Sequence, residues 1–227
     1  AALLFAPGPA VHADAPAAVR FAGEPAANAD PGAVVRRAVV VENTGGAPFD
    51  ARVDVVAPQE IELVSGPAVQ RVGPGDWAVV PITMRVAPSA PPRSFPVLYA
   101  VYAVDGGDAT FITDGVVTVT VAERAGLDLA IASSPAFAPA GVSFPLAVRL
   151  ANTGNTALDL TLDLRSSGGS SAAIRPQGDR VTLPAGKTRE VELALTAPAS
   201  LPASTVDRIE VTASDPARGA AARSAAY

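Results

Sequence analysis

The sequence predicts an all-β protein that consists of two β-sandwiches in tandem. Apolar and polar residues alternate along many short segments, which is the pattern of strands with one buried face. The chain of 227 residues contains 22 prolines and 19 glycines, and these separate the segments from one another. The same turns also occur in both halves of the chain. Each half has the usual length of one domain.

The first sandwich is predicted from segments that are rich in β-branched residues and that end at proline or glycine. These segments cover residues 33–42, 49–56, 61–64, 69–72, 77–86, 95–104 and 111–121. In the segment 77–86, Trp77 and Val79 share one face, whereas Ile82 and Met84 share the other. We expect the second face to point into the core. Asp105-Gly106-Gly107-Asp108 is predicted to form the turn of a hairpin.

The second half repeats the turns of the first. Asn43-Thr44-Gly45 returns as Asn152-Thr153-Gly154, 109 residues later, and Gly73-Pro74-Gly75 returns as Pro184-Ala185-Gly186, 111 residues later. We expect the Asn-Thr-Gly segments to be tight turns, because their residues tolerate left-handed backbone angles. Further strands are predicted at 127–131, 144–150, 158–164 and 191–195. A repeat of this length is typical of a duplicated domain of roughly seven strands, with minimal helix.

Domain boundaries follow from these segments. Residues 1–13 are predicted to be the remnant of a signal peptide, because Leu3-Leu4-Phe5 resembles the end of an apolar core and Val11-His12-Ala13 fits a cleavage site. An N-terminal tail is the alternative. The first sandwich then spans residues 14–122, a linker spans 123–126, and the second sandwich spans 127–227. Residues 217–227 begin a strand with an incomplete pattern, so we expect the natural chain to continue beyond Tyr227.

Composition excludes several classes of protein. No apolar run reaches the roughly 18 residues of a transmembrane helix, so we expect none in this sequence. The predicted signal segment instead indicates an exported protein, in the periplasm or at the cell surface of a bacterium. Cysteine is absent, which excludes disulfides, thiolate zinc sites and a cysteine nucleophile. A net charge of -5 argues against a nucleic acid partner, because phosphate binding needs clustered lysine and arginine.

Residues for catalysis are also missing. The only histidine, His12, lies in the predicted signal segment, so the mature chain has no imidazole for a Ser-His-Asp site. Lys187 follows a turn, where a solvated side chain is more typical than a serine–lysine dyad. Glu60 and Glu62 are predicted to share a solvent-facing side of a strand, without the concave surroundings that acid–base catalysis needs. We therefore expect no enzyme activity and no cofactor.

One turn and one aromatic residue each have both a ligand-binding and a structural interpretation. Asp105 and Asp108 could supply oxygens to calcium, but two carboxylates fall short of the roughly six to eight ligands that calcium needs. Turn formation alone explains them, so we expect no metal site. Trp77 is predicted on the face opposite Ile82 and Met84, where it could stack against a sugar ring or lie as a shielded surface tryptophan.

The repeated motifs resemble a known type of domain. The segments 39–45, 73–75 and 80–88, with their counterparts 150–155, 183–186 and 193–198, resemble bacterial immunoglobulin-like domains of the cell-adhesion-related (CARDB) type and those associated with alpha-galactosidases. The resemblance implies two tandem immunoglobulin-like β-sandwiches. It also implies a spacer or adhesion module of a larger exported protein, with a protein of the cell envelope as its partner and no catalytic residues.

Two other functions remain open. Asn152-Thr153-Gly154-Asn155 is similar to a turn of periplasmic chaperones of the chaperone-usher pilus pathway. That weaker resemblance implies binding of a pilus subunit by β-strand addition, with Arg20 and Arg124 as the basic residues to test. The third candidate is a carbohydrate-binding accessory module that uses Trp77.

Overall fold

The computed structural model describes residues 17–65, 68–105, 107–173, 180–200, 202 and 206–226. The predicted signal segment, 1–13, lies outside these residues. The described chain consists of β-strands and connecting loops, without a helix. It divides into two compact units, Ala1–Ala122 and Glu123–Tyr227, which are called unit 1 and unit 2 below.

Unit 1 is a sandwich of two sheets. Its strands are β1 (Ala17–Ala22), β2 (Ala26–Ala29), β3 (Val34–Asn43), β4 (Phe49–Val56), β5 (Ile61–Leu63), β6 (Ala68–Val72), β7 (Trp77–Val86), β8 (Ser94–Asp105) and β9 (Asp108–Val121). One sheet has the order β1-β3-β7-β5, and the other has the order β2-β9-β8-β4-β6. β2 and β9 are parallel, and the other described pairs are antiparallel.

The core of unit 1 lies between the inward faces of its sheets. Val39, Met84 and Val97 are fully buried there, and each such side chain stabilises the fold by about 1.5–3 kcal/mol. The alternation in β7 confirms the expected orientation, because Ile82 and Met84 are buried and Trp77 is exposed.

Unit 2 repeats this topology. Its strands are β10 (Leu127–Ser133), β11 (Ser143–Asn152), β12 (Leu158–Ser166), β13 (Ser171–Ala173), β14 (Arg180–Leu183), β15 (Thr188–Thr196), β16 (Ile209–Asp215) and β17 (Ala220–Ala226). The sheet orders are β10-β11-β15-β13 and β14-β12-β16-β17. Leu158, Leu160 and Leu162 of β12 point into the core, as their alternation predicts. In unit 2, the first, second, fourth and sixth strands form one sheet, and the third, fifth, seventh and eighth form the other. Unit 1 has the same arrangement apart from its additional strand β2, so each unit is an immunoglobulin-like β-sandwich.

The asparagine of each Asn-Thr-Gly segment ties the two sheets of its unit together. Asn43 is fully buried at the end of β3. Its Nδ2 donates hydrogen bonds to the carbonyl oxygens of Ala47 at 2.8 Å and Val72 at 3.1 Å, and its Oδ1 accepts one from the Gly45 amide at 2.9 Å. Val72 ends β6, which belongs to the opposite sheet. The side chain thus satisfies three backbone groups; the bond to Val72 is buried, and the other two are partly buried.

Asn152 forms the same three bonds in unit 2. Its Nδ2 donates to the carbonyl oxygens of Thr156 at 2.7 Å and Leu183 at 3.0 Å, and its Oδ1 accepts from the Gly154 amide at 2.9 Å. Leu183 ends β14, the counterpart of β6. What the two Asn-Thr-Gly segments share is therefore a buried asparagine that forms the same three hydrogen bonds in each unit.

The residues of the Asn-Thr-Gly segments tolerate left-handed backbone angles, but Gly154 is needed for a different reason. Gly154 does not have a positive φ; instead, a Cβ there would collide with the Arg124 carbonyl oxygen and lie 2.7 Å from the Gly126 nitrogen. Close approach of two backbones therefore requires this glycine. The left-handed glycines of the repeat are Gly75 and Gly186 in the neighbouring turns, with φ of 74° and 66°.

Several strands were not predicted. β1 and β2 are rich in alanine, which has a low strand propensity, β13 and β14 are short, and β16 was also missed. Residues 217–227 were predicted to begin a strand, and β17 is found there, at Ala220–Ala226. Pairing with a neighbour in the sheet, which is a tertiary contact, determines these segments.

Candidate functional site

Trp77 and Arg20 lie on the same outward face of sheet β1-β3-β7-β5. Trp77 is 66% exposed. It pairs across the strands with Glu42, and the adjacent cross-strand row runs from Val79 through Val40 to Arg20. β1 and β7 flank β3, so their backbones are about 10 Å apart. Two of the three residues proposed for partner binding therefore share one surface of unit 1.

Arg124 lies in unit 2, directly before β10. Its backbone N–H donates to Asn155 Oδ1 at 2.7 Å, and its carbonyl oxygen accepts from the Asn155 N–H at 3.0 Å. The arginine as a whole is exposed. The local role that the structure gives to this position is to hold the Asn152–Asn155 turn, through its backbone.

The paired glutamates are not free carboxylates. Glu62 forms an ion pair with Arg85 at 3.2 Å, and Glu60 forms one with Arg93 at 3.1 Å. Lys187 is exposed in the turn between β14 and β15. Within the described residues, no group of three histidine, cysteine or acidic side chains is arranged to hold a metal ion.

Arg52, Tyr102 and Phe111, which no sequence motif singles out, are in contact on the outward face of the other sheet. The Arg52 guanidinium lies over the Tyr102 ring, 4.8 Å from its centroid. Phe111 packs edge-on against Tyr102, with 5.9 Å between ring centroids. These residues form one cross-strand row with Val69. An arginine over an aromatic ring is a stabilising cation–π contact.

Two further rows complete this surface. The next row contains Asp54, Ala100 and Asp114, and the row after it contains Val56, Leu98 and Val116. We call these three rows, which also include Val69, Arg52, Tyr102 and Phe111, the Tyr102 face. Its five large apolar side chains are 39–59% exposed; they belong to Val56, Val69, Leu98, Phe111 and Val116.

A β-bulge places Phe111 on this face. The register between β8 and β9 shifts between Val101 and Tyr102, so that Tyr102 pairs with Phe111 and Val101 pairs with Thr113. Ile112, the extra residue, packs against the core. Strict alternation along β9 would place Phe111 on the core face with the buried Val117 and Val119, so alternation alone predicts the wrong side.

In unit 2, the Asp207 carboxylate is held by a serine-rich loop. It accepts hydrogen bonds from the hydroxyls of Ser166 and Ser170, both at 2.6 Å, from the Ser167 hydroxyl at 3.1 Å and from the Gly168 amide at 2.6 Å. Burial alone would raise the pKa of Asp207, but these bonds outweigh it and lower the pKa below its ordinary value. The loop thus stabilises an ionised carboxylate.

Asp215 has a similar structural role at the start of the β16–β17 hairpin. Its carboxylate accepts from the Asp159 amide at 2.9 Å and from Arg218 Nη1 at 3.3 Å. The hydrogen bond from Asp159 is the main reason why the pKa of Asp215 is lowered; burial opposes it, and Arg218 adds to it. Arg218 also contacts Glu123 at 3.2 Å.

Charge is distributed unevenly between the units. Residues 1–122 contain seven arginines and twelve acidic residues, whereas residues 123–227 contain ten basic and ten acidic residues. The net charge of -5 therefore belongs to unit 1. An acidic surface favours basic partners through long-range attraction.

Comparisons with known proteins give structural neighbours only. No family model matches the sequence, and no curated protein matches it. Escherichia coli alpha-2-macroglobulin is similar at a TM-score of 0.33 and 14% identity, over 92% of this chain and 16% of that one, so this chain spans about a sixth of it. The Escherichia coli chaperone DraB has a TM-score of 0.32 and 13% identity, over 93% and 96% of the two chains. The Acinetobacter baumannii CsuC–CsuE complex of a chaperone and a tip adhesion subunit has a TM-score of 0.30 and 11% identity, over 92% and 98%.

Among the residues that the structure describes, none forms a helix that is long and apolar enough to cross a bilayer.

Proposed function

We propose that this chain is a non-catalytic exported module, of the adhesion or spacer type, that binds a protein of the bacterial cell envelope. The observation that carries the proposal is the Tyr102 face, which exposes a contiguous set of aromatic and aliphatic side chains on unit 1. Scattered apolar residues are normal on a surface, but a contiguous patch marks an interaction site. Tyrosine and arginine are also enriched at the energetically dominant positions of protein interfaces.

The acidic residues with shifted pKa values support a structural rather than a catalytic role. A general acid near neutral pH needs a carboxyl whose pKa is raised. The pKa values of Asp207 and Asp215 are lowered instead, and both carboxylates are occupied by hydrogen bonds within unit 2. These carboxylates are therefore unsuited to proton transfer at neutral pH.

Carbohydrate binding is the second candidate, because Trp77 is 66% exposed. An exposed indole can stack against a sugar ring. Its neighbours weaken this candidate, since the cross-strand row of Trp77 contains Glu42 and Ala18 and no second aromatic residue. Sugar-binding surfaces on sheets gain affinity from several rings that lie in line.

The pilus chaperone alternative needs an unpaired strand edge. In unit 1, β2 occupies the edge of β9 from Thr118 to Val121. A partner strand would therefore have to use the preceding part of β9 or an edge strand of another sheet. Arg20, the basic residue proposed for this role in unit 1, is exposed on β1.

The proposal is tested by identifying a partner and reconstituting the complex. The full chain is immobilised and exposed to a bacterial envelope extract, captured proteins are identified by mass spectrometry, and each is purified and titrated against the free chain. We expect saturable binding of one envelope protein. Failure of every purified candidate to bind would overturn the proposal.

The same chain is then tested on polysaccharides by affinity electrophoresis. We expect no retardation by a panel of neutral and acidic polysaccharides. Retardation that is abolished by Trp77→Ala would favour the carbohydrate-binding module instead. A captured partner that is a pilus subunit, and that loses binding on Arg20→Ala, would favour the chaperone.

A further inference from the structure

We propose that the Tyr102 face docks a protein segment that presents one arginine or lysine side chain flanked by apolar residues. This inference rests on the proposed protein-binding function, and it specifies the site and the chemistry of the partner. Three features of the face carry it: its apolar rows, the acidic row between them, and the rigidity of its central ring.

The apolar rows provide the contact area. Val56, Leu98 and Val116 form one row, with exposures of 59%, 39% and 46%. Phe111 and Val69 end the other row, with exposures of 54% and 57%. Covering these side chains would remove apolar surface from water, which is the main favourable term in association. A partner must therefore offer apolar groups on both sides of its central residue.

The acidic row specifies the residue between those groups. Ala100 lies in the middle of the face, between Asp54 on β4 and Asp114 on β9. Adjacent strands are about 4.8 Å apart, so a cation above the small Ala100 side chain would lie roughly midway between the two carboxylates. Asp54 is paired with Arg52 at 3.2 Å.

Asp114 leaves a negative charge to be neutralised. It takes part in none of the ion pairs found among the described residues. The net charge of -5 on unit 1 has the same sign. A basic side chain is therefore the complementary group, and it would also increase the rate of association at low ionic strength.

The central ring is held in place before binding. Tyr102 lies between the Arg52 guanidinium, at 4.8 Å, and the Phe111 ring, at 5.9 Å. The ion pair of Arg52 with Asp54, at 3.2 Å, helps to hold the guanidinium over the ring. A side chain that is already ordered loses little conformational entropy on binding.

A second copy of this chain fits the face poorly. In a symmetric face-to-face pair, the acidic row of one copy would oppose the acidic row of the other. Each unit 1 also carries the whole net charge of -5, so two copies repel one another. Self-association through this face is therefore an outcome that the test must be able to detect.

The test is a selection from a displayed library of random peptides on the immobilised full chain. The best binder is synthesised together with a variant in which citrulline or norleucine replaces its basic residue, and both are titrated. We expect selected sequences with a basic residue between apolar residues. Removal of the positive charge should weaken binding about tenfold, and Asp114→Asn should weaken it several-fold and reduce its salt dependence.

Matched variants distinguish the loss of a binding contact on the Tyr102 face from a general loss of folding. Val116→Thr and Val34→Thr are the same substitution at positions 46% and 44% exposed, on opposite sheets of unit 1. Only Val116→Thr should weaken the peptide, and Phe111→Ser should weaken it at least about tenfold. Circular dichroism and thermal unfolding are recorded for each variant, and Val116→Thr keeps the test valid if Phe111→Ser does not fold.

Three results would overturn the inference: selected peptides without a basic residue, affinity unchanged by both Phe111→Ser and Val116→Thr, or a dimer in sedimentation that Phe111→Ser dissociates. The last result would identify a second copy as the occupant. Capture of a verified envelope partner that persists in Phe111→Ser would refute this site while leaving the proposed function intact. Absence of any such partner would refute the proposed function.

Discussion

Replacing Asn43 with alanine tests the sheet-to-sheet connection in unit 1. The substitution removes three hydrogen bonds, to Ala47, Val72 and Gly45, at 2.8, 3.1 and 2.9 Å. At about 1 kcal/mol for each bond, the free energy of unfolding should fall by about 3 kcal/mol. That loss is a large fraction of the roughly 5–15 kcal/mol that stabilises a domain.

The assay is urea unfolding followed by tryptophan fluorescence. Trp77 is the only tryptophan and lies in unit 1, so its signal reports on that unit. With a slope of about 1.5 kcal/mol per molar urea, the midpoint should fall by about 2 M. Asn28→Ala is the matched control, because Asn28 is exposed on β2 and its loss should change stability by less than about 0.5 kcal/mol.

The repeat offers a second check on the same reasoning. Asn152→Ala removes the equivalent bonds in unit 2, so it should lower the free energy of unfolding of unit 2 by a similar amount, as followed by far-ultraviolet circular dichroism.

If Asn43→Ala shifts the Trp77 midpoint no more than Asn28→Ala does, the three bonds do not stabilise unit 1 and the argument fails.

Three further predictions concern pH, a close contact and an exposed residue. Asp207 and Asp215 have pKa values below the ordinary 3.8, so the stability that they give unit 2 is fully present above that pH and is lost as the pH falls through the lowered values. In urea unfolding, replacing both with asparagine should make the free energy of unfolding fall less steeply as the pH is lowered into the acid range. An equally steep fall in the double variant would contradict this. Gly115→Ala should cost about 1–3 kcal/mol, because the added Cβ would lie 2.6 Å from Tyr99 Cζ; unchanged thermal unfolding would show that the ring moves aside at no cost. Trp77→Ala should change stability by less than about 0.5 kcal/mol, since the side chain is 66% exposed; a larger loss in urea unfolding would mean that the indole packs more tightly than its exposure indicates.

The strand pattern of this protein was largely readable from local sequence. β4 and β7 match their predicted bounds, Phe49–Val56 and Trp77–Val86. Alternation predicts these strands because a half-buried strand repeats every two residues, whatever its neighbours are. The alanine-rich strands β1 and β2 escaped prediction because their burial depends on pairing with β3 and β9.

The repeated Asn-Thr-Gly motif shows what the local sequence pattern could not predict. Its recurrence correctly indicated two copies of one sandwich. The local turn bonds could be expected, but Asn43 and Asn152 also bond to carbonyl groups on Val72 and Leu183, 29 and 31 residues away along the chain, which was not predicted. Local preferences describe turns well, but they carry no information about a distant acceptor.

The sequence by itself determined that this is an all-β protein with two repeated sandwiches, because side-chain alternation and turn residues act over a few neighbouring positions. Tertiary structure alone decided which apolar residues remain exposed. Phe111 and Ile112 are adjacent and both apolar, yet the β-bulge opposite Tyr102 sends the first outward and the second toward the core. The register between two paired strands, and not the hydrophobicity of either residue, made that choice and so created the Tyr102 face.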